Sequence, residues 1–340
     1  MSNPRNYWQV VMAAPADALA RSVREAEDAG LEGIWAPQLH SPPFVTLAAA
    51  AMVTKRIQLG TGIALAFTRS PVETALNAFD LDLISGGRTV LGLGTSIRAF
   101  NEDVHGVVYG KPVAHLREVV QIVRAITTEG HTGKLGKFEG KYHKVDLSTL
   151  RTGKPARDRI PIWLPPLFEP TVRLAGEIAD GLTGHPVWSV QWIRNEVSRT
   201  LNEALAKAGR KRSDFKVNLW IYTAINKDRQ RAIDDARGTV AFYSQIAQYE
   251  KYFEAHDFGD NARAVREAAA RKDFAGMRKA VPDEMVNTFA LAGTPDEARE
   301  RIEQYWKVAD SITLTPPSAM IDGATHRAYQ QAIADTFYGK

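Results

Sequence analysis

The feature that most narrows the fold is an alternation. Short runs rich in β-branched, aromatic and small residues are followed, repeatedly, by stretches with helical periodicity. That order predicts parallel strands joined by crossover helices, because parallel neighbours cannot be joined by a tight hairpin. Strands are expected over 7–12, 33–36, 57–65, 89–94, 160–164, 180–184, 216–225 and 311–315. Between them, Leu19, Val23 and Ala26 mark one helical face, and Leu116, Val119, Val120, Val123 and Ile126 mark another. Ser70-Pro71-Val72-Glu73 reads as a helix start, with serine as cap, proline in the first turn and glutamate closing a capping box. The stripe expected to be buried behind it is Val72, Ala75, Leu76, Phe79 and Leu83. Thr294-Pro295-Asp296-Glu297 repeats the same start signal. Residues 130–158 read as a long loop with room for a hairpin, and a helix is expected over 189–208. The helical run from Asp228 to about Asn287 is too long for one crossover. It predicts a seventh helix plus an insertion at about 242–290.

Eight such strands give an α/β fold, a closed (β/α)8 TIM barrel with a helical insertion between strands 7 and 8. An open doubly wound sheet satisfies the same alternation. The chain has 340 residues, which suits one barrel with an insertion. No linker and no fixed-period repeat divides it, so residues 1–340 are expected to form a single domain. There is no cysteine, which excludes disulfides and thiolate metal sites. No apolar run has the length of a membrane helix and no signal-peptide core follows Met1, so a cytoplasmic protein is expected. The net charge is +4, and no dense basic stripe or nucleic-acid motif accompanies it. Lys207, Arg210, Lys211 and Arg212 fall where a helix should end, a favourable place for cations.

Standard motifs fail one by one. Leu91-Gly92-Leu93-Gly94-Thr95-Ser96-Ile97 lacks the third glycine of a dinucleotide fingerprint. There is no phosphate-binding Gly-x4-Gly-Lys loop, no His-Glu-x-x-His and no Gly-x-Ser-x-Gly. No metal is therefore expected.

Four segments taken together carry a resemblance. Residues 26–38 contain Ala29-Gly30-Leu31 and Trp35-Ala36-Pro37-Gln38. Residues 56–63 end in Thr61-Gly62-Ile63 and are followed by Thr68-Arg69-Ser70-Pro71. Residues 85–94 read Ser85-Gly86-Gly87-Arg88-Thr89-Val90-Leu91-Gly92-Leu93-Gly94. Residues 160–164 are followed by Leu174-Ala175-Gly176-Glu177-Ile178-Ala179-Asp180-Gly181. In this order and spacing they resemble the luciferase-like oxidoreductase superfamily. The closest likeness is to the branch that uses the deazaflavin coenzyme F420 and includes methylenetetrahydromethanopterin reductase.

That resemblance implies a site at the C-terminal ends of the strands, where barrel enzymes place their chemistry. The family's non-prolyl cis peptide, which backs the flavin ring, matches the bond Gly62-Ile63. Gln38, Thr95 and Ser96 follow strands two and four and are expected to line the cofactor. Leu167, Phe168 and Glu169, with Gly184, His185 and Val187, match the phosphate cradle. Pro165 and Pro166 depart from the family's glycine-rich turn there and offer no N–H. His40 and Glu102 are the candidate proton donors, His40 because imidazole titrates near neutrality. Trp188 and Trp192 are expected to pack rather than bind.

The implied activity is hydride transfer between coenzyme F420 and an organic small-molecule substrate. One alternative is an FMN-dependent monooxygenase using reduced flavin and oxygen, with a flavin or deazaflavin reductase as partner. A non-catalytic flavin-binding barrel is the other. Family likeness also implies a homodimer.

Overall fold

The computed structural model describes residues 6–39 and 41–338. Eight strands form the frame: β1 (Tyr7–Val10), β2 (Gly33–Ala36), β3 (Gln58–Thr61), β4 (Thr89–Gly94), β5 (Ile162–Leu164), β6 (Gly181–Thr183), β7 (Lys216–Ile225) and β8 (Ser311–Thr315). From β1 to β6 the strands pair in chain order, and β6 pairs with Lys216–Asn218 of β7. The expected strands are all present, several trimmed at their ends. The third is interrupted: after Thr61 the chain leaves the ladder at Gly62-Ile63, and Ala64–Leu65 resumes pairing with Leu93 and Gly94 of β4. A short strand not anticipated, Leu291–Gly293, pairs with Thr223–Ile225 of β7.

The chain forms two compact units, one of residues 1–184 and 196–218, the other of residues 185–195 and 219–340. In the first, helices α1 (Ala16–Asp28), α2 (Pro43–Val53), α3 (Pro71–Ser85), α4 (Pro112–Glu129), α5 (Glu169–Ile178) and α6 (Ser198–Lys207) cover the strands. The stripes on α1 and α4 are buried as expected. The stripe on α3 is rotated. Leu83 is 44% exposed, while Thr74, Ala78, Asp82 and Ser85 face inward. The reason is a long-range pair: Asp82 accepts from Arg157 at 2.7 Å and from the Thr89 amide at 3.1 Å. An ion pair with backbone support makes an acidic residue acceptable on the inner face.

The core of this unit contains three indoles. Trp8 stacks on Trp35 with centroids 4.3 Å apart, and Trp163 lies 5.5 Å from Trp35. Each indole lies across a glycine on the next strand. Trp8 is in register with Gly33, Trp35 with Gly60, and Trp163 with Gly181. A Cβ built on Gly60 would come within 2.1 Å of the Trp35 ring.

In the second unit, β7 continues into α7 (Arg229–Ser244). Helices Glu250–Glu254, Gly259–Ala270, Phe274–Lys279, Asp283–Phe289 and Pro295–Trp306 follow, and α8 (Gly323–Phe337) ends it. Tyr252, Phe253 and Phe289 are its largest fully buried side chains. The capping box at Thr294 and Glu297 is formed. No helix of the described residues is long and apolar enough to cross a membrane.

Candidate functional site

The first unit brings several of the expected residues together at the C-terminal ends of β2, β3 and β4. The Gly62-Ile63 peptide is cis. It is held from β2: the Gly62 N–H donates to Ala36 O at 2.8 Å, and the Gln38 N–H donates to Ile63 O at 3.1 Å. From the other side, Thr61 Oγ1 donates to Gly92 O at 2.7 Å. The two glycines of β4 explain themselves here. A Cβ at Gly92 would lie 2.0 Å from Thr61 O, and one at Gly94 would lie 2.0 Å from Ile63 Cδ1 and 2.6 Å from Pro165 Cγ. Gly-Leu-Gly is thus a seat for β3 and the Ile63 side chain.

Gln38 is fully engaged. Its Oε1 accepts from the Leu65 N–H at 3.0 Å and from Arg69 Nη2 at 2.9 Å, and its Nε2 donates to Thr68 at 3.2 Å. It pins the segment after β3. His40 lies outside the described residues.

Beyond β4, Ser96 adopts φ 56°, a left-handed conformation that non-glycine residues rarely take. It is over-determined. Tyr109 Oη donates to Ser96 O at 3.0 Å, and Asn101 Nδ2 donates to Thr95 O at 2.8 Å. Asn101 is fully buried, and its Oδ1 has no partner. Such strain held by neighbours is a feature of binding sites. Glu102 lies on a π-helical turn, Phe100–Val104, and pairs with Arg98 at 2.5 Å. Its Oε1 also accepts from the Tyr109 N–H at 3.4 Å.

Behind this turn, Phe67, His115 and Tyr142 form a stack, with centroids 3.8 Å and 4.4 Å apart. His115 Nδ1 lies 3.2 Å from Tyr109 O, and its Nε2 lies 3.0 Å from His143 Nε2. A carbonyl only accepts, so Nδ1 carries the proton and His143 donates to His115. Burial pushes both imidazoles below their ordinary range. His143 sits in a loop between two short strands, Lys137–Glu139 and Lys144–Asp146, which form the hairpin for which the long loop had room.

After β5, the Leu167 N–H donates to Thr171 at 3.3 Å, and α5 begins behind Phe168 with no side-chain cap. Glu169 pairs with Arg173 at 2.7 Å, which holds its carboxyl below the usual range. After β6, the Gly184 N–H donates to Asn218 O at 2.7 Å and is therefore not available to a phosphate.

In the second unit, the His185 side chain packs among tyrosines. It meets Tyr243 and Tyr249 edge-on, at 5.4 Å and 5.1 Å, and its Nε2 lies 3.2 Å from Tyr249 Oη. Desolvation pushes its pKa down to about 3, so it is a neutral imidazole among tyrosines. The Val187 carbonyl accepts from Tyr252 Oη at 2.6 Å. Trp188 is buried, and Trp192 meets Tyr252 edge-on at 5.1 Å, so both indoles pack. They do not share a helix, because Ser189 caps a helix that begins at Val190.

The residues that sequence reasoning passed over are Arg69 and Tyr109. Arg69 stood within a matched segment and was given no role. Nothing local marks Tyr109, whose partners are 13 and 14 positions away.

Comparison with known proteins agrees with this arrangement. The family model described as luciferase-like monooxygenase matches residues 3–310. Over 296 residues the chain is 33% identical to the 5,10-methylenetetrahydromethanopterin reductase of Archaeoglobus fulgidus, covering 84% of this chain and 85% of that protein. It is 29% identical over 324 residues to a putative coenzyme F420-dependent oxidoreductase of Mycobacterium tuberculosis, covering 89% and 90%. The solved structure of the coenzyme F420-dependent tetrahydromethanopterin reductase of Methanopyrus kandleri matches with a TM-score of 0.82 at 24% identity, over 98% of each chain. That likeness fixes the fold as the (β/α)8 barrel, and the extent of the family match fixes the lineage: this chain belongs to the luciferase-like monooxygenase family.

Proposed function

We infer that this protein is an oxidoreductase that binds the deazaflavin coenzyme F420 and moves a hydride between it and an organic small molecule. The observation that carries this reading is the 33% identity to the Archaeoglobus fulgidus reductase over 84% of the chain. The site geometry supports it. A flat heteroaromatic ring needs an apolar wall with polar groups at its edge. Ile63, seated on Gly92 and Gly94, supplies such a wall. Thr95 and Ser96 follow β4 on a backbone fixed by Tyr109 and Asn101, with the Thr95 hydroxyl donating to Ser96 O at 3.2 Å. The Phe168 and Glu169 amides at the start of α5 suit a phosphate, since a helix N-terminus stabilises negative charge. When bound, the coenzyme supplies the hydride chemistry, and the chain supplies orientation and a dry surface.

A second reading, a monooxygenase using reduced FMN, is favoured by the family description itself. Equilibrium titration of the purified protein with coenzyme F420 and with FMN, followed by fluorescence quenching, separates the two. At least tenfold tighter binding of F420 is expected. A preference for FMN moves the protein to the oxygen-using reading, and binding of neither ends both.

A further inference from the structure

The second unit gathers five polar side chains at one place without a charge among them. Tyr222 Oη and Tyr243 Oη lie 3.2 Å apart, and the Ser318 side chain bonds Tyr222 as well. His185 Nε2 lies 3.2 Å from Tyr249 Oη. The Tyr243 and Tyr249 rings are 14° from parallel with centroids 6.4 Å apart, and the imidazole stands edge-on to both. Among the described residues, no Asp, Glu, Lys or Arg shifts the ionisation of His185, Tyr222 or Tyr243. Desolvation dominates all three. It keeps the imidazole neutral and pushes both phenols above their ordinary range.

The cluster lies where a barrel receives its ligand. His185 comes just after β6, Tyr222 stands in the C-terminal half of β7, and Ser318 comes just after β8. Barrel enzymes meet their substrates at these strand ends. The cluster also keeps accessible surface: His185, Tyr243 and Tyr249 are half-buried, and Ser318 is exposed. Groups so strongly desolvated that still keep accessible surface face a recess, in which an unpaired ionic group of a ligand would be costly.

The hydroxyls of Ser318, Tyr222 and Tyr243 form a chain with two links. Each hydroxyl gives one proton and accepts through its lone pairs, so the chain can run either way. Running from Ser318, it leaves the Tyr243 proton for a carbonyl oxygen. Running from Tyr243, it leaves Tyr243 Oη to accept from a ligand hydroxyl. The reversal moves no heavy atom. A carbonyl that takes a hydride at carbon and a proton at oxygen becomes an alcohol, so one site holds both oxidation states.

We propose that Tyr243, backed by Tyr222 and Ser318, binds the oxygen of an uncharged carbonyl compound and of the alcohol formed from it. Calling that molecule the substrate rests on the oxidoreductase reading given above; the oxygen site itself does not.

The test uses the full chain carrying isotope-labelled tyrosine, titrated with acetophenone, with the alcohol formed by its reduction, and with benzoate, and followed by NMR. The Tyr243 ring signal, assigned by its loss in Tyr243→Phe, should shift saturably with both neutral probes, and benzoate should bind at least tenfold more weakly. Tyr243→Phe should weaken both neutral probes about fivefold to tenfold, the order expected for one hydrogen bond. Tyr222→Phe leaves Tyr243 free to donate outward, so the ketone should be retained and the preference should move toward it. A merely structural role would weaken both probes alike in both variants. No saturable shift, benzoate binding as tightly as the ketone, or unchanged affinities in Tyr243→Phe each overturn the proposal. If Tyr243→Phe does not fold, the labelled parent and Tyr222→Phe decide it. Coenzyme F420 is titrated in the same series. Weakening of F420 alone by Tyr243→Phe overturns the substrate assignment. Neutral probes bound through Tyr243 by a protein that binds no F420 would end the F420 reading and leave the oxygen site standing.

Discussion

Gly92 and Gly94 determine how closely β3 can approach β4. A Cβ at Gly92 meets a backbone carbonyl, which cannot step aside, whereas one at Gly94 meets the end of the Ile63 side chain and Pro165. Gly94→Ala should therefore cost about 1–3 kcal/mol, the usual range for overpacking, and Gly92→Ala should sit at or above the top of that range. Urea denaturation of the two variants checks the order, and a Gly92→Ala protein as stable as its parent would show that the strands can separate freely. These glycines were legible as residues but not as roles. The spacing Gly-Leu-Gly pointed to a nucleotide loop that fails at Ile97, and their true partners, Thr61 and Ile63, lie about thirty positions away. Arg69 was hidden for the same reason. Whether a guanidinium is paired depends on which distant oxygens the fold brings to it.

Elements with one clean apolar face were easily read, and α1 and α4 bury the residues their periodicity selects. Helix α3 was misjudged by a fraction of a turn, because Asp82 faces inward toward Arg157, 75 residues away, and the Thr89 amide. The hairpin over residues 137–146 shows how a polar segment is held to a helix without an apolar face. Glu118 of α4 accepts from the amides of Lys141, Tyr142 and His143 at 2.8 Å, 2.9 Å and 3.0 Å. Burial opposes that charge, but the three amides outweigh it and hold the carboxyl below its usual range. In Glu118→Ala these three amides lose their acceptor. Hydrogen exchange should accelerate at Lys141, Tyr142 and His143 and stay unchanged on the inner face of α4. Acceleration spread evenly over α4 would mean that Glu118 supports the helix rather than the hairpin.

For the molecule as a whole, acid is the sensitive direction. His115, His143, His185 and His256 are all depressed below the ordinary 6.5, chiefly by desolvation, His185 to about 3. Between the folded and unfolded pKa values the unfolded chain binds more protons, so stability rises with pH across that window. The melting temperature should be level above about pH 7 and fall steadily below 6.5. The fall should continue toward pH 3, where His185 finally protonates. His115→Phe keeps an aromatic ring between Phe67 and Tyr142 and removes one titrating group, so its acid slope should be shallower than the parent's. An identical slope would show that this imidazole is already protonated or already open to solvent.

The ladder of indoles laid across glycines has an optical consequence. Trp8 and Trp35, 4.3 Å apart and only 21° from parallel, with Trp163 close by, are near enough to share excitation. Their ultraviolet transitions should couple and give a signed pair of near-ultraviolet circular dichroism bands that no isolated tryptophan produces. Each glycine that lets an indole lie flat thus helps to tune a chromophore. The wall of the first unit carries its own spectroscopic signature, extinguished when any rung of the ladder is lost.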